Sequence, residues 1–162
     1  MTVSYGLIVI GAGSAGLTAA KFGSQLGLKV ALVEKGRLGG DCIWTGCVPS
    51  KTILKIAQVA RQVSTAQRFG IGSGGVKTDW GKVIAHVKGV AEEIYAANSP
   101  DLLTDENITI VEGAASFADP YTVLEGDSVL TGKRILITTG AGPVIPPIPG
   151  LAETGFLTYR TI

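Results

Sequence analysis

The sequence predicts an α/β fold, a parallel sheet linked by helices with a β-meander beside it, and three observations carry that reading. Residues 5–10 form a short apolar run that passes directly into Gly11-x-Gly13-x-x-Gly16 and then into a stretch of good helix formers. A second apolar run over 29–33 ends on Glu34. Between 108 and 138, four more short runs of strand-forming residues are separated by glycine and aspartate.

Composition sets the frame. The 162 residues suffice for one domain with a proper core, and 46% hydrophobic content with 17% charge fits a compact chain. A net charge of +1 without a basic patch argues against a nucleic-acid partner. There is no run of 18 apolar residues to cross a membrane, and the start, MTVSYGLIVIGAG, lacks the charged n-region of a signal peptide. A reducing cytoplasm is the expected compartment, where two cysteines are more often catalytic than a structural staple.

The first element is a buried strand over 5–10, followed by a helix over about 14–26 that Gly27 stops and a strand over 29–33. This is a Rossmann-like βαβ unit. Gly11 permits the tight turn, Gly13 lets backbone approach a pyrophosphate, Gly16 allows helix and strand to pack closely, and Glu34 can accept from ribose hydroxyls. The helix N-terminus supplies the field for the phosphates. The competing reading is a glycine-rich turn with no ligand, and the motif alone does not separate FAD from NAD.

Residues 39–51, GGDCIWTGCVPSK, hold both cysteines. At a spacing of five, one regular helix would set their Cα atoms roughly 8–9 Å apart, whereas a disulfide needs about 4.4–6.8 Å. Gly46 loosens the chain between them and Pro49 is tolerated in a first helical turn, so the helix is expected to start near Cys47 with Cys42 in the preceding turn. A thiol at a helix N-terminus ionises more easily, and Lys51 adds a cation one turn on. The pair reads as a disulfide that opens and closes during turnover, as a structural disulfide, or as two buried thiols.

The helix from Cys47 is expected to reach about Gln67, with Ile53, Ile56, Val59, Ala60 and Val63 at helical spacing, and 69–75 is read as a loop. A second long helix over 80–98 has Asp79 as its cap and Val83, Val87, Val90 and Ile94 as its apolar stripe. Ser99-Pro100 and the polar run to Asn107 end it. Strands follow over 108–111, 121–124, 128–130 and 134–138, the last three read as a meander with turns at 126–127 and 132–133. The segment 140–150 carries four prolines and is expected to be extended. His86, the single histidine, reads as a surface or half-buried helix residue rather than a catalytic base, and two cysteines without a histidine partner make a poor zinc site, which needs four ligands.

Taken together, GAGSAG, Glu34, GGDCIWTGCVPSK, EGAASFADPYTV and TTGAGPVIPPIPG resemble the N-terminal part of the flavin-dependent pyridine nucleotide-disulfide oxidoreductases, a family that includes dihydrolipoamide dehydrogenase, glutathione reductase and mercuric reductase. The resemblance covers about residues 5–150, and the cysteine stretch is its most specific part. It implies an FAD-binding fold, with NAD(P)H held by a domain outside these residues and a small disulfide or soft metal ion as acceptor. It implies Cys42 as the thiol that meets substrate, Cys47 as the thiol against the flavin, and Lys51 beside the flavin ring. Gly11, Gly13, Ser14, Ala15 and Gly16 would hold the pyrophosphate and Glu34 the adenosine ribose, with Lys35, Gly40, Asp41 and Gly46 also around the cofactor. Gly113 and Ala114 match the segment along the adenine, and Thr139 and Gly140 the turn closing this portion. Residues 1–150 would then be the first portion of the FAD-binding domain and 151–162 a link toward the nicotinamide-binding domain. The whole enzyme would be a homodimer, and the 162 residues alone would not turn over. The alternative is a stand-alone nucleotide-binding or redox-responsive module.

Three positions depart from the family pattern. Asp41 replaces a threonine, and a carboxylate there would repel phosphates unless it turns away or pairs with a cation. Ile43, Trp44 and Thr45 lie between the thiols, where an indole would narrow the substrate mouth. Ala141 stands where the closing turn has serine.

Overall fold

The structure, a computed structural model, describes residues 2–72 and 74–161. Met1, Ser73 and Ile162 fall outside it, so the loop expected over 69–75 is described only on either side of Ser73. Strands β1 (Thr2–Tyr5) and β2 (Leu7–Ile10) lead into helix α1 (Ser14–Gln25) and strand β3 (Val30–Glu34). Helices α2 (Gly40–Trp44), α3 (Cys47–Thr65), α4 (Trp80–Ala96) and α5 (Pro100–Asp105) follow. Strands β4 (Ile108–Glu112), β5 (Ser116–Asp119), β6 (Thr122–Glu125), β7 (Ser128–Gly132) and β8 (Ile135–Ile137) precede a short α6 (Leu151–Thr154).

Two four-stranded sheets result. One is wholly parallel, in the order β4-β3-β2-β8; the other runs β1-β7-β6-β5, an antiparallel meander with β1 added parallel to β7. The parallel sheet is covered on both faces, which is why its strands read as continuous apolar runs. Alternation divides them. Val9, Val30, Leu32 and Ile108 pack with Leu17 and Ala20 of α1 and with Leu103 of α5. Ile8, Ile10, Ala31 and Val33 pack with Val123 and Leu130 of the meander. The C-terminal ends of β2, β3 and β8 are thereby left open side by side, and that edge positions the site.

Four expectations need correcting. Residues 5–10 are not one strand: the chain breaks at Gly6, Tyr5 pairing with β7 and Leu7 onward with β3. The segment 134–138 is not part of the meander, because its strand crosses over to pair with β2, Ile8 opposite Ile135. The meander is completed by β5, whose four residues are all exposed and whose apolar pair, Phe117 and Ala118, does not alternate with polar residues. The run after Asn98 holds α5, with Pro100 in its first turn and Leu103 fully buried. In addition, Cys42 lies in a short helix of its own, since Gly39 (φ 105°) and Gly40 (φ 56°) let the chain start α2 before α3. Asp79 does cap α4, its carboxylate accepting from Lys82 N at 3.2 Å. No residue of α3 is buried, Ile53 and Val59 included, because α3 leans on α4 along one side only.

Candidate functional site

The first turn is built by close backbone approach. Gly11 takes φ 98°, and its N–H donates to Val33 O at 2.7 Å. A methyl group at Gly16 would lie 1.8 Å from Gly11 O, so only glycine lets α1 start against that turn. The Thr138 hydroxyl reaches Ile10 O at 2.9 Å and Gly11 O at 2.8 Å, fixing the end of β8 to the same turn. At Gly13 the situation reverses: a Cβ there meets nothing within 4 Å.

Open space beside Gly13 coincides with a helix start that lacks a side-chain cap and any acidic residue in its first turn. Its amide donors are the kind of group a phosphate takes. Glu34 sits across the turn with Oε2 accepting from Ala12 N at 2.6 Å and Oε1 from Gly36 N at 2.9 Å. Each carboxylate oxygen retains a second lone pair for a ribose hydroxyl. The residues present therefore fit a dinucleotide.

A cleft of about 530 Å³ runs over these strand ends, walled by Gly11, Gly13, Ser14 and Ala15 on one side and by Gly40, Asp41 and Cys42 on the other. Thr139 and Gly140 close its third side. A second cleft of about 220 Å³ continues from it, sharing Gly11, Glu34, Lys35 and Thr139 and ending at Gly113 and Ala114. The structure thus brings thirteen of the expected residues to one groove, from Gly11 to Gly140. Gly16, Gly46, Cys47 and Lys51 do not line it. Gly16 and Gly46 serve packing instead, since a methyl group at Gly46 would stand 2.8 Å from Asp41 O.

Both cysteines are unbridged, Cys42 half-buried and Cys47 exposed. The two thiols interact, and their acidities shift in opposite directions. Cys42 is held below the ordinary thiol range by the Cys47 thiol, by the Ser14 hydroxyl and by the Cys47 N–H, with Lys51 adding charge. Cys47 is pushed up, first by its hydrogen bond to Cys42 and then by the charge on Cys42. The Cys47 N–H at the helix start lowers both thiols, its own and that of Cys42.

Asp41 does pair with a cation. Arg160 Nη2 donates to its Oδ2 at 2.7 Å, and the Tyr159 hydroxyl donates to the same oxygen at 2.7 Å. Arg160 and then Tyr159 hold the carboxyl below its usual range. The Trp44 indole turns away from the groove: its N–H donates to Leu38 O at 2.8 Å, and Arg37 lies 3.5 Å over its ring centroid and 4.6 Å from that of Tyr95. Arg37 is anchored by Glu92 at 2.6 Å. Trp44 therefore binds the cysteine segment to α4 and does not line the groove.

Sequence reasoning missed Thr138, Tyr159 and Arg160. Thr138 could have been flagged as the residue entering a glycine turn at a strand end; Tyr159 and Arg160 have no local signal. His86 is exposed on α4, as expected. Among the described residues no three His, Cys, Asp or Glu side chains gather to hold a metal, and no helix is long and apolar enough to cross a membrane.

The family model described as pyridine nucleotide-disulphide oxidoreductase matches residues 5–162. The chain is 37% identical to a dihydrolipoyl dehydrogenase of Acholeplasma laidlawii, over 94% of this chain and 46% of that protein. It is 33% identical to a mercuric reductase of Lysinibacillus sphaericus, over 98% of this chain and 29% of the relative. A glutathione reductase of Burkholderia cepacia is 35% identical, over 90% of this chain and 32% of its own length. The chain thus spans less than half the length of these curated relatives. With the glycine turn, the acidic strand end and Cys42 around one groove, this match makes the chain a member of the pyridine nucleotide-disulphide oxidoreductase family.

Proposed function

We propose that this chain is the first portion of an FAD-binding domain, residues 1–150, with 151–162 leading toward a nicotinamide-binding domain. In the whole protein, electrons would pass from NAD(P)H through FAD to a Cys42–Cys47 disulfide and on to a small disulfide or a mercuric-type ion. The observation that supports this most is that Cys42 lines the same groove as the glycine turn and Glu34. Bound FAD would supply a two-electron relay between nicotinamide and disulfide.

The residues of this chain account for the rest. Gly11, Gly13, Ser14 and Ala15 would take the pyrophosphate, Glu34 with Lys35 the ribose end, and Gly113 with Ala114 the adenine. Two electrons and two protons open the disulfide to two thiols. Cys42, the more acidic of the pair, then attacks the acceptor disulfide as thiolate; one acceptor sulfur leaves and takes a proton, and a mixed disulfide forms. Attack by Cys47 on Cys42 releases the second acceptor thiol and re-forms the internal disulfide. Lys51 favours both thiolates by charge. The leaving thiol needs a general acid, and the one histidine here, His86, is exposed on α4. We therefore expect the 162 residues to bind FAD but not to turn over, in a protein whose whole form is a cytoplasmic homodimer.

The test is a titration of the purified chain with FAD, followed by anaerobic stepwise reduction with a count of free thiols. Saturable binding and two new thiols per chain, appearing as the flavin is reduced, support the reading. Absence of FAD binding, or NAD(P)H-dependent turnover of a disulfide or mercuric ion by these residues alone, contradicts it.

A further inference from the structure

Arg160 joins three segments that are distant in sequence. Its Nη2 donates to Asp41 Oδ2 on α2 at 2.7 Å and to the Ala141 carbonyl, in the turn after β8, at 3.1 Å. Tyr159 duplicates the arrangement, with its hydroxyl 2.7 Å from Asp41 Oδ2 and 3.4 Å from Ala141 O. Asp41, Ala141 and Arg160 all line the larger cleft.

Asp41 and Ala141 are two of the positions where the chain departs from the family pattern, and Arg160 contacts both. An exposed ion pair adds little to global stability, and here the two side chains are 42% and 45% exposed. The contact is better explained by what it does locally. It removes the net charge of a carboxylate from the rim of a cleft whose opposite wall is a helix start suited to phosphate. It also ties the β8 turn to the segment carrying Cys42, so that the walls on either side of the cleft cannot separate independently.

We propose that Arg160 is a positioning residue of the dinucleotide site, a counter-charge to Asp41 that also latches the Ala141 turn to α2 and fixes the width of the groove. The proposal rests on the reading of this groove as an FAD site. Tyr159 carries part of the same load: removal of Arg160 alone leaves two neutral donors on Asp41, the Tyr159 and Thr45 hydroxyls, but no charge to balance it.

The test uses the 162-residue chain and its Arg160→Gln, Asp41→Asn, Arg160→Lys and doubly substituted Asp41→Asn/Arg160→Gln forms. FAD affinity is followed by flavin fluorescence, and hydrogen exchange is followed without FAD. Arg160→Gln is expected to weaken FAD by roughly tenfold or more at low salt, the size of one uncompensated like charge beside a bound anion, and by less at high salt. The double form is expected to regain most of that loss, and Arg160→Lys to keep the affinity while losing the fork. Without FAD, Arg160→Gln is expected to speed exchange at amides 140–142 and 159–161. Equal weakening in the single and double forms would mean that Arg160 holds FAD directly and would overturn the counter-charge. Unchanged exchange would overturn the latch. If the unaltered chain takes no FAD, the FAD reading fails, while exchange still decides the latch.

Discussion

Two glycines of the same turn should fail in opposite ways when each is replaced by alanine. At Gly16 the added methyl group would stand 1.8 Å from Gly11 O and 2.9 Å from both Gly11 C and Thr138 Oγ1. Real Cβ contacts do not fall below 3.0 Å, so about 1.2 Å of movement is required, all of it between backbones that no side-chain rotation can relieve. Overpacking of this kind costs about 1–3 kcal/mol. Moving Gly11 also loosens the Thr138 hydroxyl bond to Gly11 O, at about 0.5–1.5 kcal/mol. Gly16→Ala should therefore lose about 1.5–4.5 kcal/mol, a large part of the roughly 5–15 kcal/mol that holds a domain folded. At Gly13, φ is −72°, open to any residue, and the methyl group meets nothing. The smaller unfolded-state entropy of alanine favours it by about 0.4–1 kcal/mol, and the poorer helix cap offsets that by a similar amount. Gly13→Ala should unfold within about 1 kcal/mol of the parent yet bind FAD poorly, because its methyl group fills the space beside the α1 N-terminus. Urea unfolding by circular dichroism and an FAD titration measure the two effects. Equal destabilisation by both substitutions would refute the packing argument, and parental FAD affinity in Gly13→Ala would refute the assignment of the open space.

Further predictions follow from the thiol pair and from Glu34. Alkylation of Cys42 should begin at lower pH than the ordinary thiol value of about 8.5 and that of Cys47 at higher pH, because Cys42 is lowered and Cys47 raised. Cys47→Ala removes the largest cause and should move the Cys42 profile upward, while Cys42→Ala should move that of Cys47 downward; identical profiles in parent and variants would show that the proton is not shared. Glu34→Gln should destabilise by about 1–3 kcal/mol, since both carboxylate oxygens accept from backbone N–H groups and an amide would turn its NH₂ on one of them. Parental urea unfolding in Glu34→Gln would count against those two bonds.

Much of the fold was legible because both faces of the parallel sheet are buried. That burial makes β2 and β3 continuous apolar runs, and the glycine turn between them has one mechanical solution. The meander was harder. β5 is exposed along its length, and Gly132-Lys133, read as a hairpin turn, instead carries the chain from one sheet to the other, Lys133 N donating to Tyr5 O at 3.1 Å. A two-residue turn signal records where the chain bends and says nothing of which sheet receives it. The short helix over Pro100–Asp105 had its signals, Ser99 and Pro100 at the start and Leu103 toward the core, but six residues are too few for a period to stand out.

The site separates along a different line, between what a residue is and what points at it. Cys42 and Cys47 were found by type and spacing, and the helix start at Cys47 was placed where it is. The Cys47 N–H lowers both thiols, and their opposite shifts come first from the contact between them, which the Gly39-Gly40 pair allows by folding Cys42 back as a separate helix before α3. The local sequence names the two thiols, and the fold of the segment sets what each of them faces. The same distinction governs Asp41. Its charge was legible, and so was the need for a cation, but the cation that answers it lies 119 positions away in a segment whose own sequence reads as a link. Local chemistry thus poses the electrostatic problem at a site, and only the chain's return supplies the solution. The conflict between a carboxylate and a phosphate groove is therefore best taken as a sign that a distant partner exists.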